Sequence, residues 1–357
     1  MARKQRSLSR KIGSNLETNR AWTKKIWPIA VIGVLFAIAA WHFRAVPQRS
    51  DSVYTREHPE HSLHSLKKRG FEVISSSSVK GIKTQSNWTF AHDKFAVASL
   101  PAGSMERFDR FIFIDNKETE DKDRFLMFAL FNGFICPYVA DIAERKLVPM
   151  MMGRIVKASP KSEKELIEIA KDAVNRVHVE ALRALPENSL CGATALFGVH
   201  YKSNTTIFSV GDSRALTSAG RKIAWTDDQK AEQAAEKLIK VGGSVNFVDG
   251  SWRIGGIIRT RSAFGVPLFF HRQWTILACY LLRHHACDFE CSGGPLDFII
   301  MGSNGFWDTM SNEDAARIGK KYIDKGPHFA AEQLVSAAYR NKSQDRITVM
   351  VVKFSTS

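Results

Sequence analysis

The 357-residue sequence contains only five cysteines, and its acidic residues are fewer than its basic ones. Five cysteines in so long a chain are far below the density of a disulfide-stapled scaffold, which excludes that class. Glycine and proline, at 23 and 11 residues, are too sparse for a collagen-like or low-complexity chain. Apolar residues make up 44% and charged residues 24%, the proportions of one large globular domain or two modest ones.

The shortage of acidic residues is most pronounced at the N-terminus. The formal net charge is +15, and residues 1–25 contribute +7 from eight Lys or Arg and one Glu. The remaining chain has only a mild basic excess, with no basic stripe interleaved with aromatic residues. Nucleic-acid binding is therefore not expected, and residues 1–25 are interpreted as a basic N-terminal arm.

Residues 26–43 contain no Asp, Glu, Lys or Arg. Eighteen helical residues rise about 27 Å, which is enough to cross the core of a bilayer. We predict a single-pass transmembrane helix over 26–43, so that the membrane is one partner of the protein. A buried core helix and a cleaved signal peptide are the alternatives.

The charges on either side of residues 26–43 predict an orientation. The arm carries +7, whereas residues 44–60 contain three basic and three acidic residues. The positive-inside rule then places the N-terminus in the cytosol and the C-terminal part across the membrane. The arm also resembles a mitochondrial presequence in composition, so an endomembrane and a mitochondrial location both remain open. Residues 44–80 are polar, contain two prolines and end in four serines, which predicts a linker.

The rest of the chain mixes strand and helix patterns without strict alternation, which favours an α+β fold. Helical spacing predicts helices over 162–185, with Ser162 as N-cap, and over 231–241. Short apolar runs predict strands at 111–114, 125–131, 193–201, 205–210, 274–282, 297–302 and 346–354.

Four segments carry motifs: 191–195 (CGATA), 208–215 (FSVGDSRA), 302–308 (GSNGFWD) and 343–349 (SQDRITV). In this order they resemble SGTTA, ANVGDSRA, ASDGLWD and SxDNITV of the metal-dependent protein phosphatase family (type 2C, PPM-type). The resemblance implies the PPM-type fold, a central β-sandwich flanked by helices, over residues 81–357. The second motif contains Gly211, Asp212, Ser213 and Arg214, for which the resemblance implies a mainly structural role in a strand and turn.

The family hydrolyses phosphoserine or phosphothreonine with two Mg²⁺ or Mn²⁺ ions that activate a bridging water. Such cations need several carboxylate oxygens. By the resemblance, Asn132 and Asn304 stand where metal-binding aspartates belong, and Gly133 follows the first. The early R-x-x-x-E-D motif best matches residues 83–88, where Lys83 replaces the Arg and Asn87 and Trp88 replace the two acids.

Two acids remain at family positions: Asp345 at the last ligand position and Asp308 further out. Arg346 replaces the Asn that follows the last ligand. Two dications with a single inner carboxylate would repel each other strongly, so no metal cofactor is favoured. We predict a catalytically inactive pseudophosphatase that binds a protein partner as regulator or scaffold. The alternative is an active Mn²⁺- or Mg²⁺-dependent serine/threonine phosphatase whose ligands include Asp345, Asp308 and Gly133, with Asp93 as an acid missed by misalignment.

Three further sequence patterns indicate possible sites more weakly than the motifs above. Basic residues at the former metal pocket predict an anion site, unless they pair instead with nearby aspartates; they are Lys83, Arg253, Arg261 and Arg346. A loose group of potential zinc ligands is not favoured as a metal site because its spacing fits no known finger; it comprises Cys279, His284, His285, Cys287 and Cys291. Glycosylation sequons begin at Asn87, Asn204 and Asn341, and they matter only if the domain is luminal.

Overall fold

The computed structural model describes residues 63–79, 87–101, 107–116, 125–158, 162–201, 204–240, 243–248, 250–267 and 296–354. The predicted arm, the predicted membrane helix, the strand at 274–282 and the Cys/His group at 279–291 lie outside these residues. Among the described helices none combines the length and apolarity needed to cross a membrane.

Fourteen strands are described, and all their pairings are antiparallel. They are β1 (Glu72–Ser75), β2 (Trp88–Ala91), β3 (Phe95–Leu100), β4 (Arg107–Asp115), β5 (Phe125–Phe134), β6 (Gly192–Tyr201), β7 (Asn204–Val210), β8 (Arg214–Ala219), β9 (Lys222–Trp225), β10 (Val245–Val248), β11 (Ser251–Ile254), β12 (Phe264–Gly265), β13 (Phe298–Gly302) and β14 (Ile347–Lys353).

Seven α-helices are described alongside them: α1 (Leu63–Lys68), α2 (Tyr138–Ala158), α3 (Glu163–Ala184), α4 (Ala235–Lys240), α5 (Asn304–Trp307), α6 (Asn312–Tyr322) and α7 (Pro327–Arg340). Short 3₁₀ turns cover Ser76–Ser78, Ala231–Ala234 and Ile323–Lys325. The predicted helix over 162–185 is confirmed. Ser162 is its N-cap and accepts a hydrogen bond from the Glu165 amide at 3.3 Å.

The strands form two six-stranded sheets and one separate hairpin. The first sheet has the order β1-β4-β5-β6, and both β7 and β12 pair with the remaining edge of β6. The second sheet has the order β2-β3-β14-β13-β8-β9, and β10 and β11 form the hairpin. Strands that pair across the second sheet come from opposite ends of the chain, so the sheet forms only when the whole domain closes.

The sheets face each other across an aromatic and aliphatic core. Phe111, Phe128 and Leu196 of the first sheet pack with Ile299 and Met350 of the second. All ten residues of β5 are buried, because helices cover the outer face of the sheet that the partner sheet leaves free. Burial on both faces is the reason that β5 is a continuous apolar run rather than an alternating one.

Helices cover both outer faces. The pair α2 and α3 packs on the first sheet, while α6 and α7 pack on the second through Ala315, Ala331 and Leu334. The layers are therefore helix, sheet, sheet, helix, which confirms the predicted β-sandwich flanked by helices. The predicted strands that fall in the described ranges are also confirmed.

Two boundaries differ from the prediction. Residues 44–80 were expected to be a linker, yet α1 and β1 lie inside that interval, and β1 pairs with β4 in the first sheet. Polar composition was a poor guide here, because β1 is an edge strand of four residues with only one face buried. The helix expected over 231–241 begins as a 3₁₀ turn and becomes α-helical only in α4.

Candidate functional site

The first sheet contributes two facing polar residues to the site. Asn132 near the end of β5 lies directly opposite Asp109 of β4, and both side chains are buried. Asp109 accepts a hydrogen bond from the Thr348 hydroxyl of β14, so this carboxylate joins the two sheets. Among the described residues, the Nδ2 of Asn132 has no hydrogen-bond partner, which is an unusual state for a buried donor.

The second sheet contributes Asn304 and Asp345. Asn304 begins α5 immediately after β13, and its Nδ2 donates to Asp345 Oδ2 at 3.3 Å. The other oxygen of Asp345 accepts the Arg346 backbone amide at 2.8 Å. The Ser343 hydroxyl donates to the Gly305 carbonyl at 2.6 Å, which fixes the loop that carries Asp345 against the helix that carries Asn304.

The Arg346 guanidinium interacts electrostatically with two carboxylates, those of Asp109 and Asp345. Its Nη1 donates to the Ser99 hydroxyl at 3.1 Å, and the residue is only 5% exposed. Burial lowers the pKa of Arg346, while the negative charges of Asp109 and Asp345 oppose that shift. Arginine remains protonated in proteins, so a fixed positive charge is held in the pocket.

A second guanidinium, that of Arg259, approaches from the loop before β12. Its Nη2 donates to Asp308 Oδ2 at 2.7 Å, and both side chains are partly buried. Burial acts to lower the pKa of Arg259, but Asp308, Asp212 and Asp345 together outweigh it, so the pKa is raised. Asp345 therefore acts electrostatically on both arginines, which places them in one site.

The glycines and polar residues of the motifs shape the strands around this site. A side chain at Gly133 would meet the Phe108 carbonyl oxygen at 2.7 Å, so only glycine allows β4 and β5 to pair there without displacement. Gly211 has a φ of +114°, in the region that favours glycine. The Ser213 hydroxyl hydrogen-bonds to that of Thr194 at 2.8 Å. Asp212 is buried and contributes to the field at Arg259.

Arg214 forms a separate, partly buried ion pair. Its Nε and Nη2 donate to the two carboxylate oxygens of Asp228 at 2.7 and 2.6 Å. The Trp307 indole donates to the Arg214 carbonyl at 2.9 Å, and its ring centre lies 4.9 Å from the guanidinium carbon. This bidentate pair connects β8 to the segment after β9.

The arginines expected to bind an anion lie in different surroundings. The charge of Arg346 interacts with those of Asp109 and Asp345, as described above. Arg253 is on β11, where its Nη1 donates to the Ile257 carbonyl at 3.1 Å within its own loop. The Arg261 amide donates to the Gln229 carbonyl at 2.9 Å, and Lys83 lies outside the described residues. Anion binding by these residues stays a prediction.

The assignment of the early acidic motif to residues 83–88 stays a prediction, because Lys83 lies outside the described residues. Asn87 is exposed, and the Trp88 ring stacks on Phe111 at 6.0 Å between centres. Asp93 is exposed in the turn between β2 and β3. The acid that does lie opposite Asn132 is Asp109. It could have been found as an isolated acid two residues before the predicted strand at 111–114.

The donor set is a poor fit for two hard divalent cations. The described residues contain no group of three or more His, Cys, Asp or Glu that could hold a metal ion. Asp109 and Asp345 already interact with the charge of Arg346, and Asn132 and Asn304 are neutral. A dication placed among these groups would meet the guanidinium charge with at most two inner carboxylates to offset it.

A helix-covered antiparallel β-sandwich with a polar site between its sheets is the architecture of metal-dependent phosphatases. The model of the family described as "Protein phosphatase 2C" matches residues 93–347, and the chain belongs to this family. "Probable protein phosphatase 2C 45" of Oryza sativa subsp. japonica is 30% identical over 231 residues, which span 64% of this chain and 76% of that protein. "Protein phosphatase 1L" of Bos taurus is 28% identical over 297 residues, spanning 81% and 78%.

Solved structures share the fold at low identity. The crystal structure of a serine-threonine phosphatase 2C from Toxoplasma gondii superposes with a TM-score of 0.56 at 17% identity, covering 80% of this chain and 99% of that one. At this identity the likeness concerns the fold alone. The family relationship rests on the sequence match.

Proposed function

We propose that this chain is a catalytically inactive member of the protein phosphatase 2C family, a pseudophosphatase that acts as a regulator or scaffold by binding a protein partner. One observation carries the proposal: Arg346 is buried, and its charge interacts with the carboxylates of Asp109 and Asp345. A permanently attached cation there neutralises the carboxylates that a metal-dependent relative would use to hold its ions.

The inner amides support the same proposal. Asn132 and Asn304 offer carbonyl oxygens without charge, so they cannot offset the repulsion between two dications in a partly buried pocket. Arg259 adds a second positive charge beside Asp308, the outer acid. A β-sandwich that keeps its fold but no longer binds metal would still present the surface of the phosphatase fold to a protein partner.

The test is metal calorimetry combined with a phosphopeptide assay on the full chain. The proposal predicts no heat of specific Mn²⁺ or Mg²⁺ binding at millimolar metal and no metal-dependent release of phosphate from phosphoserine or phosphothreonine peptides. A matched variant combines Asn132→Asp, Asn304→Asp and Arg346→Asn. It is expected to gain Mn²⁺ binding, which shows that the calorimeter would have detected a site in the wild type.

The alternative is an active Mn²⁺- or Mg²⁺-dependent serine/threonine phosphatase. Family membership and the presence of Asp109, Asp308 and Asp345 favour it. Turnover by the wild-type chain that disappears in Asp345→Ala would establish this alternative and overturn the proposal of inactivity.

We also propose that residues 26–43 anchor the protein in a membrane, with the N-terminal arm on the cytosolic side. The support is the absence of charged residues over 26–43 and the +7 balance of residues 1–25. Deletion of 26–43 is expected to move the protein from a carbonate-resistant membrane pellet to the supernatant. A deletion variant that stays in the pellet would contradict the anchor.

A further inference from the structure

A disulfide joins Cys136 to Cys191, 55 residues apart in sequence, with their Cα atoms 5.3 Å apart. Both residues are buried. Cys136 lies just beyond the end of β5 and Cys191 just before β6, where the register places Phe134 opposite Gly192. The bond therefore closes the end of the strand pair that carries Asn132.

Two residues close to the disulfide have backbone φ angles that are unfavourable for their side chains. Ile135, beside Cys136, has a φ of +69°, and Val266 has a φ of +59°. Both are β-branched residues, which rarely adopt the left-handed region. The Val266 amide donates to the Cys191 carbonyl at 2.7 Å, so the disulfide is connected to both segments. Its burial shields the sulfurs from exchange, as in structural rather than catalytic disulfides.

Structural disulfides persist in oxidising compartments and are rare in the cytosol of mesophiles. The compartment that forms them in eukaryotic cells also attaches glycans to Asn-X-Ser/Thr sequons. An accessible sequon would therefore be a second, chemically independent sign of the same compartment.

The sequons provide that sign. Asn87, Asn204 and Asn341 are all exposed. Asn204 is the first residue of β7, next to the short connection from β6 that pairs it with Tyr201, so a glycan there would extend from the end of a hairpin. Asn341 uses its Nδ2 to donate to the Thr309 carbonyl at 2.8 Å, which makes it the less available acceptor.

From these two observations we infer that the phosphatase-like domain matures in an oxidising, glycosylating compartment, where the Cys136–Cys191 disulfide forms and Asn204 receives an N-linked glycan. The charge balance around residues 26–43 predicts the same side of the membrane. The inference is independent of whether the site binds metal or hydrolyses phosphate.

The glycan is tested with the full chain expressed in eukaryotic cells. Treatment with peptide N-glycosidase is expected to increase the gel mobility of the protein, and Asn204→Gln is expected to abolish the part of this shift that one glycan causes. Thr206→Val should abolish the same part of the shift while leaving Asn204 in place, whereas Thr206→Ser should retain it. Asn246→Gln is the matched control, because Asn246 is exposed on β10 but is not part of a sequon.

The disulfide is tested on the same material by alkylation in denaturant before and after reduction, followed by peptide mass spectrometry. Cys136 and Cys191 are expected to be protected before reduction and labelled after it. Labelling of both before reduction would overturn the inference. So would a protein whose mobility neither the glycosidase nor Asn204→Gln changes, even if its disulfide were intact.

Discussion

Replacing Arg346 by alanine tests whether the guanidinium stands in for metal charge. The residue is 5% exposed, and its charge interacts with those of Asp109 and Asp345. Removing one partner of a buried ion pair typically costs about 3–5 kcal/mol, because the remaining charges are left uncompensated. At about 2 °C per kcal/mol for a domain of this size, the midpoint of thermal unfolding should fall by about 6–10 °C.

The same variant is expected to respond to metal. Without the guanidinium, Asp109 and Asp345 become two uncompensated carboxylates beside the amide oxygens of Asn132 and Asn304. Divalent cations bind such oxygen ligands. A metal at 100 times its dissociation constant stabilises the folded state by about 2.7 kcal/mol, which would recover more than half of the loss. Differential scanning fluorimetry of wild type and variant over a Mn²⁺ series measures both effects.

Arg214→Ala provides the matched control. Arg214 also makes a bidentate pair with a buried carboxylate, that of Asp228, but this pair lies outside the group of inner ligand positions. The control should be destabilised without recovery by Mn²⁺. The reasoning is refuted if Arg346→Ala unfolds at the wild-type temperature, or if Mn²⁺ raises the wild-type midpoint as much as that of the variant.

Three further predictions concern stability. Cys136→Ser should lower the free energy of unfolding by about 4 kcal/mol, because the disulfide closes a 55-residue loop and restricts the unfolded chain; urea unfolding measures this loss. Lys342→Gly should raise the free energy of unfolding by up to about 1 kcal/mol. Exposed Lys342 has a φ of +64°, which glycine adopts without strain. The shift in the urea midpoint tests this prediction. Burial lowers the pKa of His178 to about 4. Since the unfolded chain binds that proton near pH 6.5, stability should fall by up to about 3 kcal/mol between pH 7 and pH 4, and His178→Leu should flatten this part of the urea midpoint profile.

Each of these three stability predictions has a control and a result that would contradict it. Dithiothreitol should lower the stability of the wild type and leave Cys136→Ser unchanged; equal effects on both would contradict the role of the disulfide. Lys342→Ala should be close to neutral, because alanine shares the steric penalty of lysine, and an equal gain from alanine would contradict the backbone argument. For His178, the decisive quantity is the difference between the wild-type and variant profiles, and parallel profiles would show that another group titrates.

The helix at 163–184 and strand β5 were predictable because their patterns are local. An apolar stripe at helical spacing with a serine N-cap specifies a helix within its own sequence, and β5 is a single apolar run bounded by polar residues. The short edge strand β1 was missed, because four residues with one buried face carry little periodic signal. Its place in the sheet depends on pairing with β4.

The sequence by itself determined the family, the identity of Asn132 and Asn304 at positions that the resemblance assigns to metal ligands, and the presence of Arg346, because each is a residue identity within a short motif. Only the tertiary structure decided that Asp109 is the acid opposite Asn132, that Thr348 donates to Asp109, and that Cys136 meets Cys191. These contacts join residues 23 to 239 positions apart. They depend on strand register and on the packing of two sheets, which arise only when the whole domain closes.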